Sequence, residues 1–174
     1  RCWDGRGSPV FYFYPPLFFW VTSLADTMTA GTLASERLVP FASLILLVAS
    51  GVSMRSWLRL HVGEQRALVG AIAYLLGPYH LYDLYGRGAL AEASAYASVP
   101  LIMWALARLG EGRPVFTPIL AVAFAALLFS HLLIALLVSL FLIAPYVAFV
   151  ALRSAQPIKF IMRALAGGLL GLAL

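Results

Sequence analysis

Long apolar stretches alternate with short charged ones along most of this chain. The apolar runs cover about 37–57, 67–79, 90–107, 115–130 and 132–151, and a sixth begins near 160. No Asp, Glu, Lys or Arg occurs between Arg113 and Arg153, a stretch of 39 residues. As one helix it would measure about 58 Å, against about 30 Å of hydrocarbon in a bilayer. It therefore predicts two spans joined by a tight turn at Ser130-His131. The runs are apolar throughout and do not alternate residue by residue, which speaks against the strands of a membrane β-barrel. Run 67–79 is short, and Pro78-Tyr79-His80-Leu81-Tyr82 extends it toward the interface.

Upstream, Phe11 to Trp20 is apolar and aromatic but contains Pro15-Pro16, a pair that breaks a helix or starts one. The expectation is a helix that starts at Pro16 and lies along the membrane surface, where aromatic residues are enriched. A full crossing by residues 16–35 would instead put Asp26 near the bilayer centre, an expensive position for a charge. The predicted fold is all-α: a polytopic transmembrane bundle of five full spans, a truncated sixth and an N-terminal surface helix. Residues 1–36 form an extracytoplasmic loop and the surface helix, and 37–174 the transmembrane helices, within one integral membrane domain. The chain starts at Arg1 without a signal-peptide pattern and stops inside the apolar run 164–174, so it reads as a piece of a longer protein.

Composition supports lipid as the solvent. Hydrophobic residues make up 63% of the chain and charged residues 11%, against about 45–50% and about 25% in soluble domains. The single cysteine, Cys2, makes no internal disulfide and says nothing of compartment.

Charge then orients the turns. One set carries Arg55, Arg59, Arg66, Arg108, Arg113, Arg153, Lys159 and Arg163 with only Glu64 and Glu111, a net +6. The other carries Arg1, Arg6, Arg37 and Arg87 with Asp4, Asp26, Glu36, Asp83 and Glu92, a net −1. Basic turns stay cytoplasmic, so residues 78–92 are expected outside the cell. The basic residues are interspersed with apolar runs and form no continuous stripe, which excludes a nucleic-acid partner.

Most of the candidate chemistry lies in that outer segment, Gly77-Pro78-Tyr79-His80-Leu81-Tyr82-Asp83-Leu84-Tyr85-Gly86-Arg87-Gly88-Ala89-Leu90-Ala91-Glu92. Ionisable groups at a membrane face are costly unless they pair or line a wet cavity. Arg87 offers a permanently charged fork suited to phosphate or carboxylate. Asp83 and Glu92 can accept protons, hold Arg87, or bind a divalent cation through oxygen. Asp83 and Arg87 also have the spacing of a helical ion pair, so a purely structural role stays open, as does an anchoring role for the tyrosines. An N-terminal cluster, Trp3-Asp4-Gly5-Arg6 followed by Phe11-Tyr12-Phe13-Tyr14-Pro15-Pro16-Leu17, lies on the same side and could close over the first. His131 sits at the outer end of two spans, either facing that cavity or capping a helix. No metal-ligand spacing, Walker loop, GxGxxG or nucleophile elbow is present.

The order Phe-Tyr-Phe-Tyr-Pro-Pro-Leu (11–17), Pro-Tyr-His-Leu-Tyr-Asp-Leu-Tyr-Gly-Arg-Gly-Ala-Leu-Ala-Glu (78–92) and Ser-His-Leu (130–132) resembles bacterial membrane proteins named for a "6-pyruvoyl-tetrahydropterin synthase-related" domain. That family is in turn similar to the C-type glycosyltransferases, polytopic enzymes that move a sugar from a polyprenyl-phosphate carrier at the extracytoplasmic face. The resemblance implies that this chain is a fragment of such a fold in the bacterial inner membrane, with Pro15-Pro16-Leu17 on the surface helix. It implies a catalytic carboxylate in the first outer loop, a part this chain lacks unless Asp4 supplies it, so the fragment alone is expected to be inactive.

On this reading Asp83, Glu92 and Asp4 are the catalytic candidates. Arg87, Tyr79, His80, Tyr82, Tyr85, Tyr14 and His131 would bind substrate. The partners are membrane lipid and a polyprenyl-phosphate-linked sugar, with no metal or cofactor beyond the possible divalent cation. Two rivals stand beside it: a transporter or flippase for lipid-linked cargo, which should show broken helices and buried charge, and a non-catalytic assembly subunit.

Overall fold

The computed structural model describes residues 14–174, and all regular structure among them is helical. Among the described residues eight helices, α1 (Leu17–Met28), α2 (Ser35–Val62), α3 (Glu64–Leu75), α4 (Pro78–Leu81), α5 (Leu90–Gly110), α6 (Phe116–Ser130), α7 (Leu132–Arg153) and α8 (Pro157–Ala173), follow in chain order, with a wider helical turn, Tyr82–Arg87, after α4. Asp4 and the rest of residues 1–13 lie outside the described part.

Three helices, Glu36–Val62, Leu90–Gly110 and Leu132–Arg153, are long and apolar enough to cross a membrane. Of the other two expected spans, α3 has 12 residues and α6 has 15, rises of about 18 and 22 Å. Helix α7 turns most of its surface outward: only 6% of its most apolar window is buried, and Phe141 and Leu152 are 75% and 88% exposed. A contiguous apolar surface of that kind marks contact with lipid or with another protein surface.

The breaks between helices follow from local chemistry. Gly63, at φ 80°, turns the chain between α2 and α3, in the left-handed region where a side chain is strained. The two helices then return side by side, and Gly51 meets Leu75 while Gly70 meets Leu58. The uncharged 39-residue stretch does split where its length requires. His131 is extended at φ −164° and ψ 110°, and its Nδ1 accepts the Ile134 N–H at 3.3 Å. Within α7, Ser139–Ile143 forms a wider turn in which the Ala144 N–H reaches the Ser139 carbonyl. Pro145, which supplies no N–H, follows directly. The core lies among α5, α6 and α8, where Ile102, Leu106, Leu109, Leu127 and Phe160 are buried.

The eight basic residues of one charge set gather at one end. Arg55 pairs with Glu64 and Arg59 with Glu64 at 2.6 Å. Arg108 meets Glu111 at 2.8 Å, Ser154 Oγ donates to the Gly110 carbonyl at 3.1 Å, and Arg163 reaches the Gly112 carbonyl at 3.5 Å. Trp57 Nε1 donates to Tyr146 Oη at 2.8 Å, which ties the far end of α2 to α7. The start of α2, the start of α5 and the end of α6 form the opposite end. There α1 touches α2, α5 and α6, with Phe18 buried and Trp20 edge-on to Phe129.

One proline sets the middle. Pro100, inside α5, has no N–H to return to the carbonyl of Tyr96, four residues earlier. That carbonyl instead accepts Ser50 Oγ from α2 at 3.2 Å and Tyr74 Oη from α3 at 3.0 Å. The vacated helix bond thereby joins three helices. Replacing Ser50 by Ala together with Tyr74 by Phe should destabilise the chain by about 0.6 kcal/mol per lost bond, measured by unfolding in mixed micelles. In a Pro100→Ala background the carbonyl regains a helical donor, so the same pair of substitutions should cost measurably less there.

Candidate functional site

The segment expected as an outer loop, 78–92, is mostly helical. Helix α3 ends at Leu75, Gly77 is extended, and Pro78 occupies the first turn of α4, where a missing N–H costs nothing. The backbone continues directly into a wider turn, Tyr82–Arg87, that closes at Gly88 with φ 60° and ψ 29°. Left-handed backbone there is the province of glycine, and it lets the Ala89 N–H return to the Asp83 carbonyl at 2.8 Å. Gly86 lies under the ring of Tyr82, with only 2.8 Å between a would-be Cβ and Cδ2. Helix α5 follows, with Glu92 in its first turn and Tyr96 one turn later on the same face.

This path assembles an ionic cluster at the end of the bundle opposite the basic turns. Asp83 is fully buried. Its Oδ1 accepts Arg87 Nη1 at 2.8 Å, and its Oδ2 accepts Tyr96 Oη at 2.6 Å. Arg87 also grips Glu92 with two prongs, Nη1 to Oε2 and Nη2 to Oε1, each at 3.0 Å. Tyr79 Oη donates to Glu92 Oε2 at 3.2 Å and accepts from Arg87 Nη1 at 3.4 Å. The hydrogen bonds and charge of Glu92, then those of Asp83, push the Arg87 guanidinium further above its ordinary range, so it is a permanent cation. The His80 ring lies between Tyr74 and Tyr96, at 4.5 and 3.8 Å.

The two carboxylates therefore differ. Asp83 has no exposed surface and both its oxygens are engaged, whereas the Glu92 side chain keeps 17% exposure and that of Arg87 41%. Anything arriving from outside meets Arg87 and Glu92 first. Among the described residues Arg87 is the cation that pairs with either carboxylate, and no group of three or more potential ligands among them could hold a metal ion.

The other candidates fall in different places. Tyr82 and Tyr85 are 60% and 77% exposed and join none of the hydrogen bonds of the cluster. Tyr14 packs edge-on to Phe19 at 5.8 Å. His131 is a helix cap and does not line the cluster: its extended backbone turns the ring onto the free N–H groups at the start of α7.

Tyr96, Tyr74 and Ser50 belong to this site and escaped the sequence reading, because each sits within an apolar run. The available signal was spacing: Tyr96 lies four residues after Glu92 and four before Pro100. Tyr96→Phe should remove one of the two donors to a buried carboxylate and destabilise the fold by about 1.5–3 kcal/mol, read as a lower unfolding midpoint. Tyr82→Phe, whose hydroxyl joins no bond in the cluster, should leave that midpoint unchanged.

Comparison of the chain with protein-family models, with curated proteins and with solved structures gives no match.

Proposed function

We propose that this chain is part of a membrane glycosyltransferase-like protein that takes a sugar from a polyprenyl-phosphate carrier at the extracytoplasmic face of the bacterial inner membrane. The observation that carries the reading is the half-exposed Arg87 fork clamped between a buried Asp83 and an accessible Glu92. In this reading α2, α5 and α7 cross the bilayer, α1 lies on its outer surface, and the Arg87 end faces out because the other end holds the basic turns.

The chemistry follows from the two unequal carboxylates. A carrier phosphate can offer two oxygens to the guanidinium fork, as Glu92 now does, so it competes with Glu92 for the outer prongs of Arg87. Asp83, fixed by Tyr96, keeps the guanidinium in place meanwhile. Glu92, once displaced, takes the proton from an acceptor hydroxyl. The acceptor oxygen bonds to the anomeric carbon, and the sugar–phosphate bond breaks with its electron pair leaving on the phosphate, where Arg87 meets the developing charge. Tyr79 reaches both residues and would contact the sugar or the headgroup. Beside the cluster a cleft of about 390 Å³, lined by Val39, Pro40, Leu44, Leu84 and Tyr85, offers the carrier tail an apolar path along α2.

In membranes containing the full protein, Glu92→Gln should lower sugar transfer by about 10²–10⁴-fold, and Arg87→Lys, which keeps the charge and loses the fork, by about 10²–10³-fold. Glu92→Gln should keep its unfolding midpoint near the wild-type value, whereas Arg87→Lys should lower it because it weakens a donor to the buried Asp83. Full transfer by Glu92→Gln would remove the base from the mechanism. A cysteine placed at Tyr85, in a Cys2→Ser background, should react with an impermeant maleimide added outside intact cells.

A second reading has one observation in its favour. The helix break at Gly77-Pro78 beside a buried Asp83 is similar in kind to the broken helices of transporters, although those lie nearer the bilayer midplane. Movement of lipid-linked cargo across reconstituted vesicles that is lost in Asp83→Asn, with no sugar transfer by the wild type, would select it.

A further inference from the structure

At the other end of the bundle a second polar pocket opens, far from Arg87. The turn between α5 and α6 and the start of α8 enclose about 190 Å³, lined on the polar side by Glu111, Ser154, Gln156, Lys159 and Arg163 and floored by Phe160. Gly112, at φ 84°, shapes the turn. The one carboxylate on the rim is occupied: Glu111 is held by Arg108 at 2.8 Å and by Arg113 at 3.4 Å. Lys159 and Arg163 have no ion-pair partner among the described residues, and Arg163 donates only to the Gly112 carbonyl. Two cations without an ion-pair partner among the described residues thus face one pocket, where a bound anion would meet both.

The surface beside the pocket identifies the anion. About a quarter-turn around α8 from Lys159 and Arg163, an exposed apolar stripe runs from Ile158 through Met162, Leu165, Leu169 and Leu172, between 61% and 74% exposed, its last three residues also lining a cleft toward α7. A ligand that fits both parts carries a phosphate at its head and hydrocarbon below. We propose that this pocket binds the phosphate headgroup of an anionic phospholipid, with its acyl chains laid along the outer stripe of α8. The shared chemistry is that of any phosphate, and the stripe favours the lipid over the free ion. The proposal rests on the bilayer placement given above and not on sugar transfer. Loss of the lipid site and loss of the catalytic reading therefore register in separate measurements.

The test uses the full chain purified in mixed micelles of phosphatidylcholine and phosphatidylglycerol, with retained lipid counted by native mass spectrometry. The wild type should retain phosphatidylglycerol in preference to phosphatidylcholine. Lys159→Gln with Arg163→Gln should reduce that preference by about fivefold per charge. Lys159→Arg with Arg163→Lys should keep it. Arg59→Gln with Arg66→Gln, two charges at the same end but outside the pocket, should keep it as well. An equal loss in this last variant means diffuse attraction to a basic surface and overturns the site. Displacement of phosphatidylglycerol by inorganic phosphate, without preference between the two, makes it a free-anion site and overturns the lipid assignment.

Discussion

At Pro100 a helix gives up one of its own hydrogen bonds, and the carbonyl it frees at Tyr96 takes two hydroxyls from neighbouring helices. An apolar surround leaves an unpaired carbonyl unfavourable, and among the described residues Ser50 and Tyr74 fill the vacancy. The position of α5 against α2 and α3 follows from that requirement. So does the position of the Tyr96 ring, which fixes Asp83 from the other side at 2.6 Å. One residue therefore connects the packing of the bundle to its ionic cluster, through its backbone below and its phenol above.

The cluster shows why two carboxylates so close in sequence cannot be exchanged. Asp83 comes from a wide turn that carries its side chain inward, and Glu92 from the first turn of a helix whose end lies at the surface. Burial closes Asp83 off, with one oxygen held by Arg87 and the other by Tyr96. Glu92 makes the same kind of bond to Arg87 but remains open to an incoming group. The difference is one of access, and it separates the residue that holds the arginine from the residue that can let it go.

Arithmetic on length made the turn at Ser130-His131 readable, because 39 uncharged residues are too many for one crossing and helix caps are short. The clustering of Asp83, Arg87 and Glu92 was readable from spacing and from the cost of charge beside apolar runs. The role of Tyr96 was not, since a tyrosine in an apolar helix has no sequence mark of its own. Its meaning comes from Pro100 and from two hydroxyls 46 and 22 residues away. Run 67–79 reads as one apolar unit, but the helix stops at Leu75 because Gly77 and Pro78 favour a break over continuation. His131 was open between cavity and cap, and its extended backbone decides for the cap.

The shortness of α3 bears on how such a chain is made. Twelve residues that begin with Glu64 and Arg66 are too brief and too charged at one end to partition from a translocation channel by themselves. Its partner α2, packed along it through Gly51 and Gly70, has the length it lacks. The two helices thus form one hairpin turned at Gly63, in which the longer helix carries the shorter.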